Sequence, residues 1–257
     1  MINPSELSTD ELYYNDKKYF SCSLYKRFKK CEYSAIQEYK SSPTKDMLIG
    51  SYVDRFVEGT LDKFKEEHPE IFVSKGERKG ELKVDFMKAE EICDFIMKDK
   101  VFSQFMSGEK QVVMTGEIEG VPFKIKIDSY SKDIAINDLK VMSTVTDKKG
   151  NYIDFISAWG YDIQMAIYQE ICYQNTGVRL PCFICAVTKE NPINSVIVNI
   201  PQDILDIALY EVKNNIVRYK NIRDGLLEPT KCGHCKDCLE HRKETPIISM
   251  YDIIKEL

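Results

Sequence analysis

Asp128, Asp138 and Lys140 are the residues of this chain best placed to do chemistry. They lie in the run Ile127-Asp128-Ser129-Tyr130-Ser131-Lys132-Asp133-Ile134-Ala135-Ile136-Asn137-Asp138-Leu139-Lys140, where two alternating apolar segments flank a short polar turn. That pattern reads as a β-hairpin. Asp138 and Lys140 are two residues apart and so point to one face of their strand. With the turn centred near Lys132 and Asp133, Asp128 comes to lie beside Asp138. Two carboxylates and a lysine then share one patch of sheet, and like charges that close are costly unless a cation joins them. A divalent metal is the simplest relief, and it would make the patch reactive. The plain alternative is a solvated surface hairpin whose aspartates help form the turn. Against that, Asp138-Leu139-Lys140 closes an otherwise apolar strand (Ile134, Ile136). The helical stretch that follows carries Gln164 and Tyr168 four residues apart, on one face, alongside Trp159-Gly160-Tyr161.

The elements that must position these residues follow from periodicity. Residues 1–20 carry acidic stretches and tyrosines without firm period and are expected to wrap the surface or pair loosely. Ser21–Cys31 opens a helix, with Ser21 or Ser23 as N-cap and Leu24, Phe28 and Cys31 on its apolar face. Ser42-Pro43-Thr44 reads as a break. A second helix is predicted over about 44–66, a charged loop over 68–82, and a third helix over roughly 84–105. Strands are predicted near 110–118, 121–128 and 134–140. A polar loop with Lys148-Lys149-Gly150 then leads to one long amphipathic helix over 153–175. Strands near 182–188 and 194–200 follow, and Pro201 opens a helix to about 223 as an N1 proline would. No glycine-rich phosphate loop follows any strand, so the order predicts an α/β sandwich and not a doubly wound sheet.

The chain has 257 residues, 43% hydrophobic and 30% charged, enough for a substantial core. We expect a single domain, 1–257, with an N-terminal helical region over 1–105 and a cysteine-containing tail over 224–257. Its net charge of -5 argues against a generic nucleic-acid coat protein, although basic residues gathered in one groove would still permit a nuclease. No run approaches a membrane span and no basic leader precedes an apolar stretch, so a cytoplasmic protein with no membrane partner is expected. Nine cysteines are an odd count in a chain too large to need disulfide staples. Cys232-x-x-Cys235-x-x-Cys238 has metal-ligand spacing, with Gly233 allowing a sharp turn, and three thiolates need a fourth ligand. A reduced tail without metal is the plain alternative. Cys182 and Cys185 sit in an apolar strand on opposite faces and read as core, as do Cys93 and Cys172 in helices.

The ordered set Asp128, Asp138-x-Lys140, Gln164-x-x-x-Tyr168 resembles the PD-(D/E)XK nuclease superfamily, in particular its exonuclease branch related to RecB, AddB, Cas4 and RecE. It looks most like the RecE-like nucleases of phages and prophages. The resemblance implies a restriction-endonuclease-like core, a central mixed sheet flanked by helices. It implies Mg²⁺ or Mn²⁺ held by Asp128 and Asp138, Lys140 beside the attacking water, and Gln164 and Tyr168 steadying the DNA backbone or the lysine. The family's Gly-x-x-x-His corresponds to Gly50-Ser51-Tyr52-Val53-Asp54, so Asp54 stands where histidine is expected and offers oxygen to the same hard cation. Glu117 is a further carboxylate near the predicted hairpin. Lys126 matches the family's basic residue ahead of the first aspartate. With Lys148 and Lys149 it is a candidate phosphate contact, or else plain solvated surface. In AddB and Cas4 relatives an upstream cysteine joins three C-terminal ones around a 4Fe-4S cluster, which implies Cys31 with Cys232, Cys235 and Cys238. Zn²⁺ with Cys31, His234 or His241 as fourth ligand competes with that assignment. The implied activity is an exodeoxyribonuclease acting on duplex DNA ends in phage-type recombination, and the implied partners are further copies of the chain in a homo-oligomer and a phage recombination partner protein. The rivals are a Cas4- or RecB-like single-strand or flap nuclease and a catalytically silent DNA-binding relative.

Overall fold

The computed structural model describes residues 7, 9–37, 43–245, 247, 249 and 250. The expected break at Ser42 and the ends of the chain, 1–6 and 251–257, lie outside the described residues. Chain contacts divide the protein into two compact units. One comprises Met1–Cys22 and Lys40–Val217, and the other Ser23–Tyr39 and Arg218–Leu257. In chain order the helices and strands are α1 (Asp10–Asn15), α2 (Cys22–Lys30), α3 (Glu32–Ala35), α4 (Lys45–Glu58), α5 (Leu61–Glu67), α6 (Val84–Lys98), α7 (Lys100–Phe105), β1 (Glu109–Ile118), β2 (Val121–Ser131), β3 (Ala135–Met142), α8 (Phe155–Ala158), α9 (Tyr161–Thr176), β4 (Cys182–Thr188), β5 (Ser195–Ile200), α10 (Gln202–Arg223) and α11 (Lys236–Glu240).

Three of the four long predicted helices are broken, each for a local reason, while the one after Pro201 runs unbroken as α10. Gly59 adopts φ 83° and its amide bonds back to Arg55 and Phe56, which ends α4 before Thr60 and α5. Asp99 ends α6 and starts α7, its side chain accepting from the Val101 and Phe102 amides. Gly160, at φ 62°, separates α8 from α9. Hydrophobic period extends through all three points because both halves of each pair bury apolar residues. The tail also gains α11, which its polar composition did not suggest.

The larger unit is an α/β fold around a five-stranded sheet of order β1-β2-β3-β4-β5. β3 and β4 run parallel and all other neighbours antiparallel. A parallel pair needs a crossover, and α9 is that crossover. The restriction-endonuclease-like arrangement, a mixed sheet flanked by helices, is therefore present. On one face, Ile49, Tyr52 and Val53 of α4, Phe64 of α5, Phe86, Ile92 and Ile96 of α6 and Phe102 of α7 form a core with Leu139, Cys185 and Val187 of the sheet. Ser129 and Asn137 share that face, both donating to the Phe105 carbonyl at the end of α7. Strand alternation then sends Asp128, Asp138 and Lys140 to the opposite face, which α9 covers. Cys93, Cys172, Cys182 and Cys185 are buried thiols as expected. No helix among the described residues is long and apolar enough to cross a membrane.

The segment before α2 is pinned more firmly than its sequence suggests. Phe20 is buried and pairs along β2, its amide donating to Pro122 O at 2.8 Å while Lys124 N donates to Phe20 O at 2.8 Å. Lys124 is only 4% exposed, and its ammonium reaches the carbonyls of Tyr13 and Asp16, so α1 is tied to the sheet through a buried cation.

The smaller unit joins residues distant in sequence. Tyr25 and Phe28 pack on Tyr219 with ring centroids 5.3 Å away in each case. Arg218 grips Glu32 through two bonds of 2.7 and 2.8 Å, a planar fork on a carboxylate, and the Thr230 amide adds a third at 2.7 Å. Ser34 Oγ donates to Asp237 at 2.5 Å, fastening α3 to α11.

Candidate active site

The site is a fork in the sheet. β2 and β3 pair at Ser131↔Ala135, Tyr130↔Ile136 and Ser129↔Asn137, and there the ladder stops. One more step in that register sets Asp128 opposite Asp138. Instead of a ladder bond, the Leu139 amide donates to Asp128 Oδ2 at 3.0 Å. Farther along, Phe20 takes the β2 edge that β3 has left. The splay creates the opening, and the side chain of Asp128 satisfies the backbone donor that the splay would strand.

Around the fork the predicted residues converge. Asp138 is 1% exposed; Gln164 of α9 donates Nε2 to its Oδ1 at 2.5 Å, and Lys140 Nζ forms an ion pair with its Oδ2. That oxygen is buried, touches the ammonium and has no well-directed hydrogen bond. Tyr168, one turn beyond Gln164, is buried; burial, and next the Asp138 carboxylate, raise its phenol well above the ordinary value. Asp54 of α4 joins electrostatically: burial, then Asp128 and Asp138, hold its carboxyl well above the usual range against the pull of Lys140. Burial, then Asp138, push Asp128 up to about 6. Burial would lower Lys140, but Asp138 and Asp128 together raise it above its ordinary value, so it is cationic at neutral pH.

Three groups that sequence reasoning did not assign also touch the site. Gln111 of β1 lies opposite Asp128, between the pairs Lys110↔Ser129 and Val112↔Ile127, and its Nε2 donates to Asp128 Oδ1 at 3.3 Å. It does so from φ 53°, a conformation costly for a residue with a side chain, and such strain collects at functional sites. No sequence pattern announces that angle. The Tyr161 ring lies 5.1 Å from Lys140 Nζ, a cation–π contact. Tyr13 of α1 is close enough that Asp128 helps raise its phenol, although burial does most.

Other candidates fall elsewhere. Lys126 shares the Asp128 face, but its ammonium sits 5.6 and 5.2 Å from the rings of Tyr13 and Tyr14. Lys148 and Lys149 are exposed, in the turn that Asp147 closes by accepting from the Lys149 and Asn151 amides. Glu117 pairs with Pro122 at the closed end of the β1–β2 hairpin, the end of β2 remote from Asp128, and its register takes it away from the fork.

The carboxylates suit a hard divalent cation. Asp54, Asp128 and Asp138 would offer it oxygen, although their ligand atoms do not all gather within 4.8 Å as the cysteine sulfurs do; burial, then Asp138, keep Asp128 protonated up to about pH 6 despite Lys140. In the smaller unit, Cys31, Cys232, Cys235 and Cys238 bring their sulfurs within 4.8 Å of one another, the one such metal-ligating group of three or more among the described residues. The separations Cys31–Cys238 (3.6 Å), Cys31–Cys235 (3.7 Å) and Cys232–Cys238 (3.8 Å) match the edge of about 3.8 Å expected for thiolates about 2.3 Å from a single tetrahedral ion. An iron–sulfur cubane binds its thiolates at separate iron corners and needs them wider apart. The His234 and Cys235 amides lower the Cys232 thiol to about 6, favouring the thiolate a metal requires. His234 and His241 instead direct Nδ1 to the carbonyls of Cys232 and Asp237. Cys31, and neither histidine, completes the set.

Comparison with known proteins places the chain in a family. Residues 21–241 match the family described as PDDEXK-like domain of unknown function (DUF3799). The chain belongs to that family. The solved structure of a Eubacterium rectale protein named "Putative exonuclease" is 41% identical, with a TM-score of 0.84 over 97% of this chain and 98% of that one. A search of curated proteins finds no match.

Proposed function

We propose that this PDDEXK-like protein is a divalent-metal-dependent exodeoxyribonuclease that hydrolyses phosphodiesters from duplex DNA ends, with Asp128, Asp138 and Lys140 at its centre. The observation that carries the reading is the fork, where two carboxylates meet beside one partly buried lysine. Asp128 and Asp138, with Asp54 contributing oxygen, would hold Mg²⁺ or Mn²⁺. Such an ion, when bound, supplies Lewis acidity to the scissile phosphate and to the attacking water. Lys140 is cationic at neutral pH, so its part is to stabilise the negative charge developing on phosphoryl oxygen. Gln164 fixes the rotamer of Asp138 by holding Oδ1, which aims Oδ2 into the fork. Gln111 and the Leu139 amide do the same for Asp128. Lys148 and Lys149 are the exposed phosphate contacts, and Lys126 serves the strand nearest α1. Resemblance to the RecE-like branch supports a place in phage-type recombination, with a homo-oligomer handing its product strand to a recombination partner.

The test is digestion of an end-labelled duplex with Mg²⁺, Mn²⁺ or EDTA, comparing wild type with Asp138→Ala. Metal-dependent release of label by wild type alone is the expected result, and the product ladder gives polarity. Retention of DNA on a filter without digestion would replace this reading with a silent DNA-binding relative.

The carboxylates also make a pH prediction. Asp128 has its folded-state pKa raised, so its proton stabilises the fold below about pH 4, and that contribution is lost as pH rises through about 6. The effect on the metal-free protein is on the order of 1–3 kcal/mol. A bound cation replaces that proton, so Mg²⁺ should raise Tm more at pH 7.5 than at pH 5. Equal Mg²⁺-induced shifts at both pH values, read by calorimetry, would count against carboxylate ligation.

A further inference from the structure

We infer that Trp159 is a stacking platform for an unpaired nucleobase at the mouth of the fork, an inference that rests on the nuclease reading above. Trp159 is 63% exposed, an unusual placement for the largest apolar side chain. Its backbone is nonetheless fixed. Phe155 is buried at the start of α8, the Trp159 amide bonds to the Phe155 carbonyl at 3.3 Å, and Gly160 then turns the chain into α9 through a left-handed conformation. The residues just beyond that turn belong to the site: the Tyr161 ring faces Lys140 Nζ, and Gln164 holds Asp138. The indole is thus presented on a fixed bend, two residues ahead of Tyr161 and five ahead of Gln164. The same β3–α8 connection carries exposed Lys148 and Lys149.

Exposed cations that track a backbone, with an exposed aromatic ring beside them, are the two parts of a sequence-independent single-strand site. A nuclease that cuts without regard to sequence needs such a contact, because every base has a π-face and stacking reads none of them. The chemical class implied is a DNA end with at least one unpaired nucleotide, either frayed or overhanging, and not a fully paired terminus.

Trp159 is the single tryptophan of the chain, so its fluorescence reports on this site alone. The full-length protein is titrated in EDTA, where nothing is cut, with an oligothymidylate and with a dumbbell duplex closed by covalent loops too short to unstack. Saturable quenching by the oligothymidylate, and much less by the dumbbell, is expected. Trp159→Ala should weaken oligothymidylate binding by about 10-fold or more, with Trp159→Phe recovering most of it. In cleavage assays Trp159→Ala should raise KM more than it lowers kcat. Cleavage by wild type without quenching, or an alanine variant that binds oligothymidylate as wild type does, overturns the inference and leaves the nuclease reading standing. Quenching without metal-dependent cleavage does the reverse.

Discussion

Lys140→Ala should cleave DNA on the order of 10³-fold more slowly than wild type at saturating Mg²⁺. Its ammonium is the charge that β3 brings against Asp138 Oδ2, and no other cation among the described residues is seen paired with that oxygen. Position and protonation argue the same way, because both neighbouring aspartates raise its affinity for the proton. The substitution should also separate catalysis from stability. Breaking a largely buried ion pair by deleting one partner typically costs about 3–5 kcal/mol, since it leaves a buried charge uncompensated. In EDTA the variant should therefore melt below wild type. Mg²⁺ should close much of that gap by taking over the balancing charge, without restoring activity. Cleavage at the wild-type rate would remove Lys140 from the mechanism, and a melting gap insensitive to Mg²⁺ would remove the cation from the fork.

The second large effect lies in the cysteine cluster. Structural metals held by thiolates contribute apparent binding energies of about 10–16 kcal/mol, which becomes folding energy where the site does not pre-exist in the unfolded chain. Cys235→Ser should abolish stoichiometric metal and remove a cooperative melting transition belonging to the smaller unit. The sulfur separations lead us to expect about one metal ion per chain and a colourless protein. A brown protein with several irons would mean that the thiols open to admit a cluster. Wild type free of metal, with Cys235→Ser melting identically, would leave four ordinary thiols.

What could be read from the sequence was what short-range periodicity fixes. A period of two put Asp138 and Lys140 on one face, and a short turn fixed the register that brings Asp128 opposite. A period of 3.6 put Gln164 and Tyr168 on one side of a helix, and Gln164 does reach Asp138. What was illegible depended on backbone angles or on pairing between distant segments. Gln111 acts through φ 53°, and the breaks at Gly59 and Gly160 interrupt apolar patterns that continue across them. Nothing in the local sequence marks Lys124 as a buried lysine. Its burial follows from α1 settling over β2, a long-range contact that no local pattern encodes. Cys31 is a different case: spacing within the tail asked for a fourth ligand, but only resemblance pointed so far upstream.

The smaller unit is assembled from Ser23–Tyr39 and Arg218–Leu257, with the whole of Lys40–Val217 made in between. On a translating ribosome this imposes an order of events. At about 5–20 residues per second, the first segment waits on the order of 10–40 s for its counterpart. Cys31 spends that interval without the three thiols that complete its set, and no metal can be captured until the last of them emerges. Metal capture by this set would thus wait for the tail cysteines, and a product that stalls short of Cys232 cannot be clasped. Such chains should be cut by protease within the upstream segment in pulse–chase experiments, and full-length chains grown without metal should share that sensitivity. Protection of the upstream segment thereby waits on the tail cysteines, and copies that have not reached them stay open to destruction.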